Sequence, residues 1–112
     1  MLDSLYIGAS GMQAQQQNVD AISNNLANVN TAGYKRSRID FEDLLYRAVP
    51  SGRDSSGQFA ATGRMGMGTA MAGSSKVFTV GDAKKTAEPL DVAINGQGFF
   101  EIALPDGSVA YT

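Results

Sequence analysis

Apolar residues recur at helical spacing along the first thirty positions. Leu5, Ala9 and Met12 lie four and then three apart. Val19, Ile22, Leu26 and Val29 repeat the alternation of threes and fours, with Gln16 in the seam between the two runs. Gln13, Gln15, Gln17, Asn18, Asp20, Asn24 and Asn25 lie between the stripe residues and are mostly uncharged. This period predicts a helix with one narrow apolar stripe of the coiled-coil kind. About 25 residues at ~1.5 Å each give ~40 Å, more than a single small domain needs to cover its core. Burying each Leu, Ile, Val or Met contributes roughly 1.5–3 kcal/mol, so the stripe needs partners. Two readings fit: a surface helix on the chain's own domain, or an assembly helix partnered by other segments or subunits.

Asn28 to Gly33 predicts the helix end, because Asn and Gly tolerate left-handed backbone geometry. Tyr34-Lys35-Arg36-Ser37-Arg38 is a short basic stretch headed by an aromatic. From Ile39 to Val49, Phe41, Leu44, Leu45 and Ala48 suggest a second, shorter helix. Asp40, Glu42 and Asp43 would begin it, Arg47 would close it, and Pro50 would stop it. Residues 51–75 are rich in Gly, Ser, Ala and Met and have no sustained period. They read either as an excursion that orders against a neighbour or as a plain linker. Beyond them the pattern turns to β. Val77, Phe78 and Val80 form one short run; Leu90, Val92 and Ile94 alternate, and so do Phe100, Ile102 and Leu104. Pro105-Asp106-Gly107-Ser108 predicts a hairpin turn, with Val109 and Tyr111 returning as the partner strand. The expected class is α+β: a long coiled-coil-type N-terminal helix, a short helix, a Gly/Ser/Met-rich loop and an antiparallel β segment. The corresponding divisions are 1–33, 34–50, 51–75 and 76–112, the last read as the start of an incomplete β-rich domain.

Composition narrows the chemistry. The 112 residues carry a net charge of −2 and contain no cysteine, histidine or tryptophan. Thiol chemistry, disulfides and metal ligation through His or Cys are therefore excluded, and no histidine can activate a serine. Asp40, Glu42 and Asp43 read as a solvated first turn rather than an acid–base pair. Gly66-Met67-Gly68 and Gly96-Gln97-Gly98 lack the context of phosphate-cradling loops and read as turns or close backbone approaches. The Tyr34–Arg38 patch, in a net acidic chain, fits a solvated patch or subunit contact better than nucleic acid. No run reaches the ~18 apolar residues of a membrane span. The N-terminus lacks the pattern of a cleaved secretory signal. Neither cofactor nor catalytic residue is expected.

The run Ser23-Asn24-Asn25-Leu26-Ala27-Asn28-Val29-Asn30-Thr31-Ala32-Gly33-Tyr34-Lys35-Arg36 resembles the N-terminal signature of the bacterial flagellar rod and hook family. Phe41-Glu42-Asp43-Leu44-Leu45-Tyr46 looks like the segment that follows it in distal-rod members. Leu90-Asp91-Val92-Ala93-Ile94-Asn95-Gly96-Gln97-Gly98-Phe99-Phe100 resembles the family's second signature, extended by Leu104 to Gly107 and by Tyr111-Thr112. The likeness implies a non-enzymatic subunit that is exported unfolded by the flagellar type III apparatus and polymerises into a hollow helical tube. Its expected partners are copies of itself, proximal-rod and hook subunits, and the rings around the periplasmic rod. Leu5, Ala9, Met12, Val19, Ile22, Leu26 and Val29 would form the packing stripe. Asn28, Asn30, Thr31, Gly33 and Tyr34 would form the signature turn, and the 51–75 insert would brace neighbours. Family members continue past the equivalent of Thr112 to a second amphipathic helix, so a longer protein is expected. The rival readings are a proximal-rod or hook subunit, and a monomeric helical adaptor.

Overall fold

The computed structural model describes residues 1–49, 52, 57 and 63–112. Among these residues one helix, α1 (Leu2–Ala27), is followed by six strands: β1 (Ser37–Asp43), β2 (Tyr46–Val49), β3 (Gly63–Gly66), β4 (Thr69–Lys76), β5 (Glu101–Ala103) and β6 (Val109–Tyr111). The class is α+β. The helix stops where the sequence places its end. Asn28 N–H still donates to Asn24 O at 3.2 Å, Val29 N–H to Leu26 O at 3.2 Å, and Gly33 turns the chain away at φ 71°.

The second helix expected over Ile39–Val49 is instead β1 and β2. The physical reason is a backbone partner. β1 pairs antiparallel with β4 from Ser37↔Lys76 to Asp43↔Thr69, and β2 pairs with β3 from Tyr46↔Gly66 to Val49↔Gly63. The same residues also alternate at period two, with Ile39 and Phe41 on one face and Arg38, Asp40 and Glu42 on the other. Once a partner exists, that alternation and the β-branched and aromatic residues outweigh the weaker 3.6-residue pattern. The two pairs join end to end. Leu44 N–H donates to Gly68 O at 2.9 Å across the gap between them, making one long two-stranded ribbon with a break at Leu44-Leu45 and Met67-Gly68. A bulge at Ala72, between Asp40↔Gly73 and Phe41↔Met71, adds a second irregularity. The excursion assigned to 51–75 is therefore strand from Gly63 onward, apart from the Met67-Gly68 break; Pro50 and residues 51, 53–56 and 58–62 lie outside the described residues.

After Val77, whose N–H donates to Arg36 O at 3.0 Å, the chain loses regular structure as far as Phe100. The runs at Val77–Val80 and Leu90–Asn95 are not strands, since neither finds a ladder partner among the described residues. Phe78 and Phe99 meet edge to face, 5.4 Å between ring centroids. β5 and β6 form the expected hairpin, and its turn works as its residues dictate. Asp106 Oδ1 accepts Ser108 N–H at 2.9 Å and Ser108 Oγ–H at 2.6 Å, and Gly107 adopts φ 86°.

The molecule measures 81 × 29 × 26 Å, with a radius of gyration of 23.9 Å. A compact chain of this length has roughly 13 Å. Its accessible surface is 9671 Å², against roughly 5,900 Å² for a compact monomer of this mass. Among the described residues Ala14 alone is buried, at 5% exposure. Its centre is a seam between α1 and the β1–β4 ribbon rather than a hydrophobic core.

Candidate assembly surface

α1 has two unlike faces. Towards the ribbon it presents Ile7, Ser10, Gly11, Ala14, Gln17, Asn18, Ala21 and Asn25, the helix residues that are at least partly covered. Apart from Ile7 these are small residues or amides, and they let the strand backbone approach the helix closely. At Gly68 (φ +109°) an added Cβ would collide with Ser10 Oγ and lie 3.7 Å from Ile7 Cα. Thr69 N–H points at Ser10 Oγ from 3.4 Å, while Ser10 Oγ–H donates to Ile7 O at 2.8 Å. The N-terminal end is tied by Arg47 Nη1 to Asp3 Oδ2 at 2.7 Å, an exposed ion pair between β2 and the first helical turn.

The C-terminal end of α1 is fixed by its asparagines. Asn25 offers its side-chain amide to Ser37 as one strand residue does to another: Nδ2 donates to Ser37 O at 2.8 Å and Oδ1 accepts Ser37 N–H at 2.9 Å. Tyr34 Oη–H is shared between Asn25 Oδ1 at 2.8 Å and Asn24 Oδ1 at 2.9 Å. Asn28 Nδ2 caps Asn24 O at 2.9 Å, and Thr31 Oγ1–H donates to Asn28 Oδ1 at 3.2 Å. Lys76 Nζ sits 5.8 Å from the centroid of the Tyr34 ring, and Lys35 Nζ donates to Thr79 O at 3.1 Å. Of the basic stretch, Lys35 therefore meets a backbone carbonyl, and Arg38 pairs with Asp40 at 3.0 Å.

The large apolar residues point elsewhere. Leu5, Met12, Val19, Ile22, Leu26 and Val29 are all exposed, Leu5 and Met12 at 71% and Leu26 at 70%, and Ala9 is exposed beside them. Leu90, Val92, Ile94, Phe99 and Phe100 also face solvent, around the bend at Gly96 and Gln97, with Gly98 following. Soluble monomers rarely display apolar residues on this scale. Among the described residues, open grooves lie between helix and ribbon, one of about 200 Å³ beside Ala21 and Ser37 and another of about 350 Å³ beside Tyr6 and Leu44. Among the described residues no helix is long and apolar enough to cross a membrane.

The periodicity that marks the stripe says nothing of the face opposite, so it does not single out Ser10, Ala14, Asn25 or Ser37, whereas the reading of Gly66-Met67-Gly68 as a turn or close backbone approach does fall on Gly68. The small residues Ser10, Gly11 and Ala14, close together at helical spacing, are the signal on the helix that points there. No pattern announces Asn25, because its role depends on where Ser37 returns.

The helix and junction coincide with a family profile described as flagella basal body rod protein, which matches residues 5–35. The chain is 46% identical over 115 residues to the flagellar basal-body rod protein FlgG of Buchnera aphidicola subsp. Acyrthosiphon pisum, covering 100% of this chain and 44% of that protein. It belongs to the flagellar rod and hook family. FlgG of Borreliella burgdorferi is 44% identical to this family member over 117 residues, covering 100% of the chain and 43% of the relative. The flagellar hook protein FlgE of Treponema pallidum is 38% identical over 102 residues, covering 89% of the chain and 22% of the relative. The chain spans less than half the length of the relatives it matches. The matched segment ends at Lys35, just beyond Tyr34. It takes in the exposed stripe through Val29 together with the asparagine junction.

Proposed function

We propose that the chain is part of a structural, non-enzymatic subunit that polymerises into the distal rod of the bacterial flagellar basal body. One observation carries this reading. The helix spends its small-residue face on its own ribbon and leaves its large apolar face without a partner. Five large side chains, Leu5, Met12, Val19, Ile22 and Leu26, would gain at most ~7–15 kcal/mol together if packed between helices. Part of that gain offsets the freedom lost on association. Spread along ~32 Å of helix, such a stripe suits lateral packing in a tube better than capture of a compact ligand.

In this reading Leu5, Ala9, Met12, Val19, Ile22, Leu26 and Val29 seat between neighbouring subunits. The turn from Asn28 through Asn30, Thr31 and Gly33 to Tyr34 sets the angle at which the ribbon leaves the helix. The apolar signature at Leu90, Val92, Ile94, Phe99 and Phe100, hinged at Gly96 and Gly98, packs in an outer layer. The partners are copies of the chain, proximal-rod and hook subunits, surrounding ring proteins and the type III export apparatus. The site of action is the periplasmic rod, reached without a cleaved signal. The hook relative favours one alternative, a bendable hook tube. Labelling the chain in purified basal bodies separates the two. Density in the straight shaft is the expected result; label in a supercoiled, bendable tube overturns the distal-rod assignment.

A further inference from the structure

We infer that Asn95 is a self-modifying site, where the backbone converts the side-chain amide to a carboxylate without any enzyme. Asn95 is followed by Gly96, lies in exposed irregular backbone, and precedes a bend. Gly96 has no side chain to shield its nitrogen, and a Cβ built there meets nothing within 4 Å. Among the described residues, Gly96 N–H makes no backbone hydrogen bond and the Asn95 amide has no partner. The Gly96 nitrogen is thus free to attack Asn95 Cγ. The new N–Cγ bond closes a five-membered succinimide, the Cγ–Nδ2 bond breaks, and ammonia leaves with the proton from Gly96 N. Water then opens the ring at either carbonyl, giving aspartate or isoaspartate. The net change is amide plus water to carboxylic acid plus ammonia, and each event adds one negative charge to a chain of net charge −2.

The rest of the chain is guarded against the same reaction. Asn18, Asn24 and Asn25 lie within α1, where the following nitrogen is held in the helical ladder. Asn25 is further clamped on both sides by Ser37. Asn28 and Asn30 precede Val29 and Thr31, whose N–H groups donate to Leu26 O and Asn28 O. Asp106-Gly107 is the one comparable acidic pair in sequence, but Asp106 Oδ1 is held by both Ser108 N–H and Ser108 Oγ–H. The nitrogen that would attack it is held as well, since Gly107 N–H donates to Leu104 O at 3.0 Å.

Ageing the intact protein at neutral pH and mapping it with trypsin tests this. Asn95 and Asp106 both fall in the peptide following Lys85, and fragmentation separates them. Expected are the mass shift of amide-to-acid exchange at Asn95 alone, a mixture of aspartate and isoaspartate there, and loss of the shift in Asn95→Gln. Ser108→Ala should leave Asp106 unconverted, because Gly107 N–H still donates to Leu104 O at 3.0 Å. An unchanged Asn95, or conversion at Asn30 or Gln97 that keeps pace with it, overturns the assignment. So does isoaspartate at Asp106 in the unaltered chain.

Discussion

Single residues decide where backbone comes close to backbone. At Gly68 the ribbon presses on Ser10 and the chain adopts φ +109°, so a side chain is both obstructed and strained. Gly68→Ala should therefore destabilise the helix–ribbon contact by about 1–3 kcal/mol. Faster hydrogen exchange at Leu44 and Thr69 would register that loss. Gly73→Ala, on the adjoining strand β4 with open space around it and no positive φ, should change exchange little. Equal losses in the two variants would remove the close approach as the cause. The hairpin turn makes a second residue-scale case. The two bonds from Ser108 hold the Asp106 carboxyl below its ordinary range. A depressed folded pKa contributes stability that is present above the unfolded value and is lost as pH falls through the folded one. Protection of the Ser108 amide should accordingly persist at neutral pH and fade well below about pH 4. Ser108→Ala should move that loss to higher pH, as followed by NMR titration of the Asp106 side chain.

At the scale of elements, the junction behind the helix is held by polar bonds rather than apolar packing. Asn25→Ala strips Ser37 of both an acceptor and a donor, at a cost of about 1–3 kcal/mol for two part-buried bonds. Tyr34→Phe removes one shared hydroxyl and should cost less. Thermal melting that ranks the two the other way would contradict the clamp. These elements also mark what could be read in advance. α1, its end at Gly33 and the Pro105–Ser108 hairpin were legible because each is specified within a few residues, by period, by cap and by turn chemistry. The ribbon was not. β4 reads Thr-Ala-Met-Ala-Gly-Ser-Ser-Lys, with little hydrophobic alternation, and it contributes to β1 chiefly a backbone ladder. Leu90–Asn95 erred the other way: it alternates well, yet no partner strand meets it among the described residues. Strand formation is a property of pairs, and one segment's side chains describe only half of a pair.

Across the whole molecule, folding falls in the proposed reading to one face of the helix and assembly to the opposite one, and substitutions should separate the two. Leu26 is exposed, so Leu26→Asp should leave the chain's own fold intact while placing an unpaired charge in the stripe. Loss of motility and of rods, with an unchanged circular dichroism spectrum, is the expected result; normal rods would refute the stripe. Ala14 is the reverse case. Ala14→Leu overfills the seam against the ribbon and should destabilise the chain itself by about 1–3 kcal/mol. The elongated outline, with one buried residue among those described, follows from the same division, since the side chains best able to build a core are on the wrong side to do so. If α1 serves two surfaces at once, as proposed, its length is constrained more tightly than its composition. Inserting a single residue near Gln16 would rotate everything downstream by about 100°. Asn25 would swing out of reach of Ser37, and the two halves of the stripe would fall out of line. Point changes on the exposed amides between the faces should be absorbed quietly, whereas a one-codon insertion in this helix should be as damaging as a frameshift.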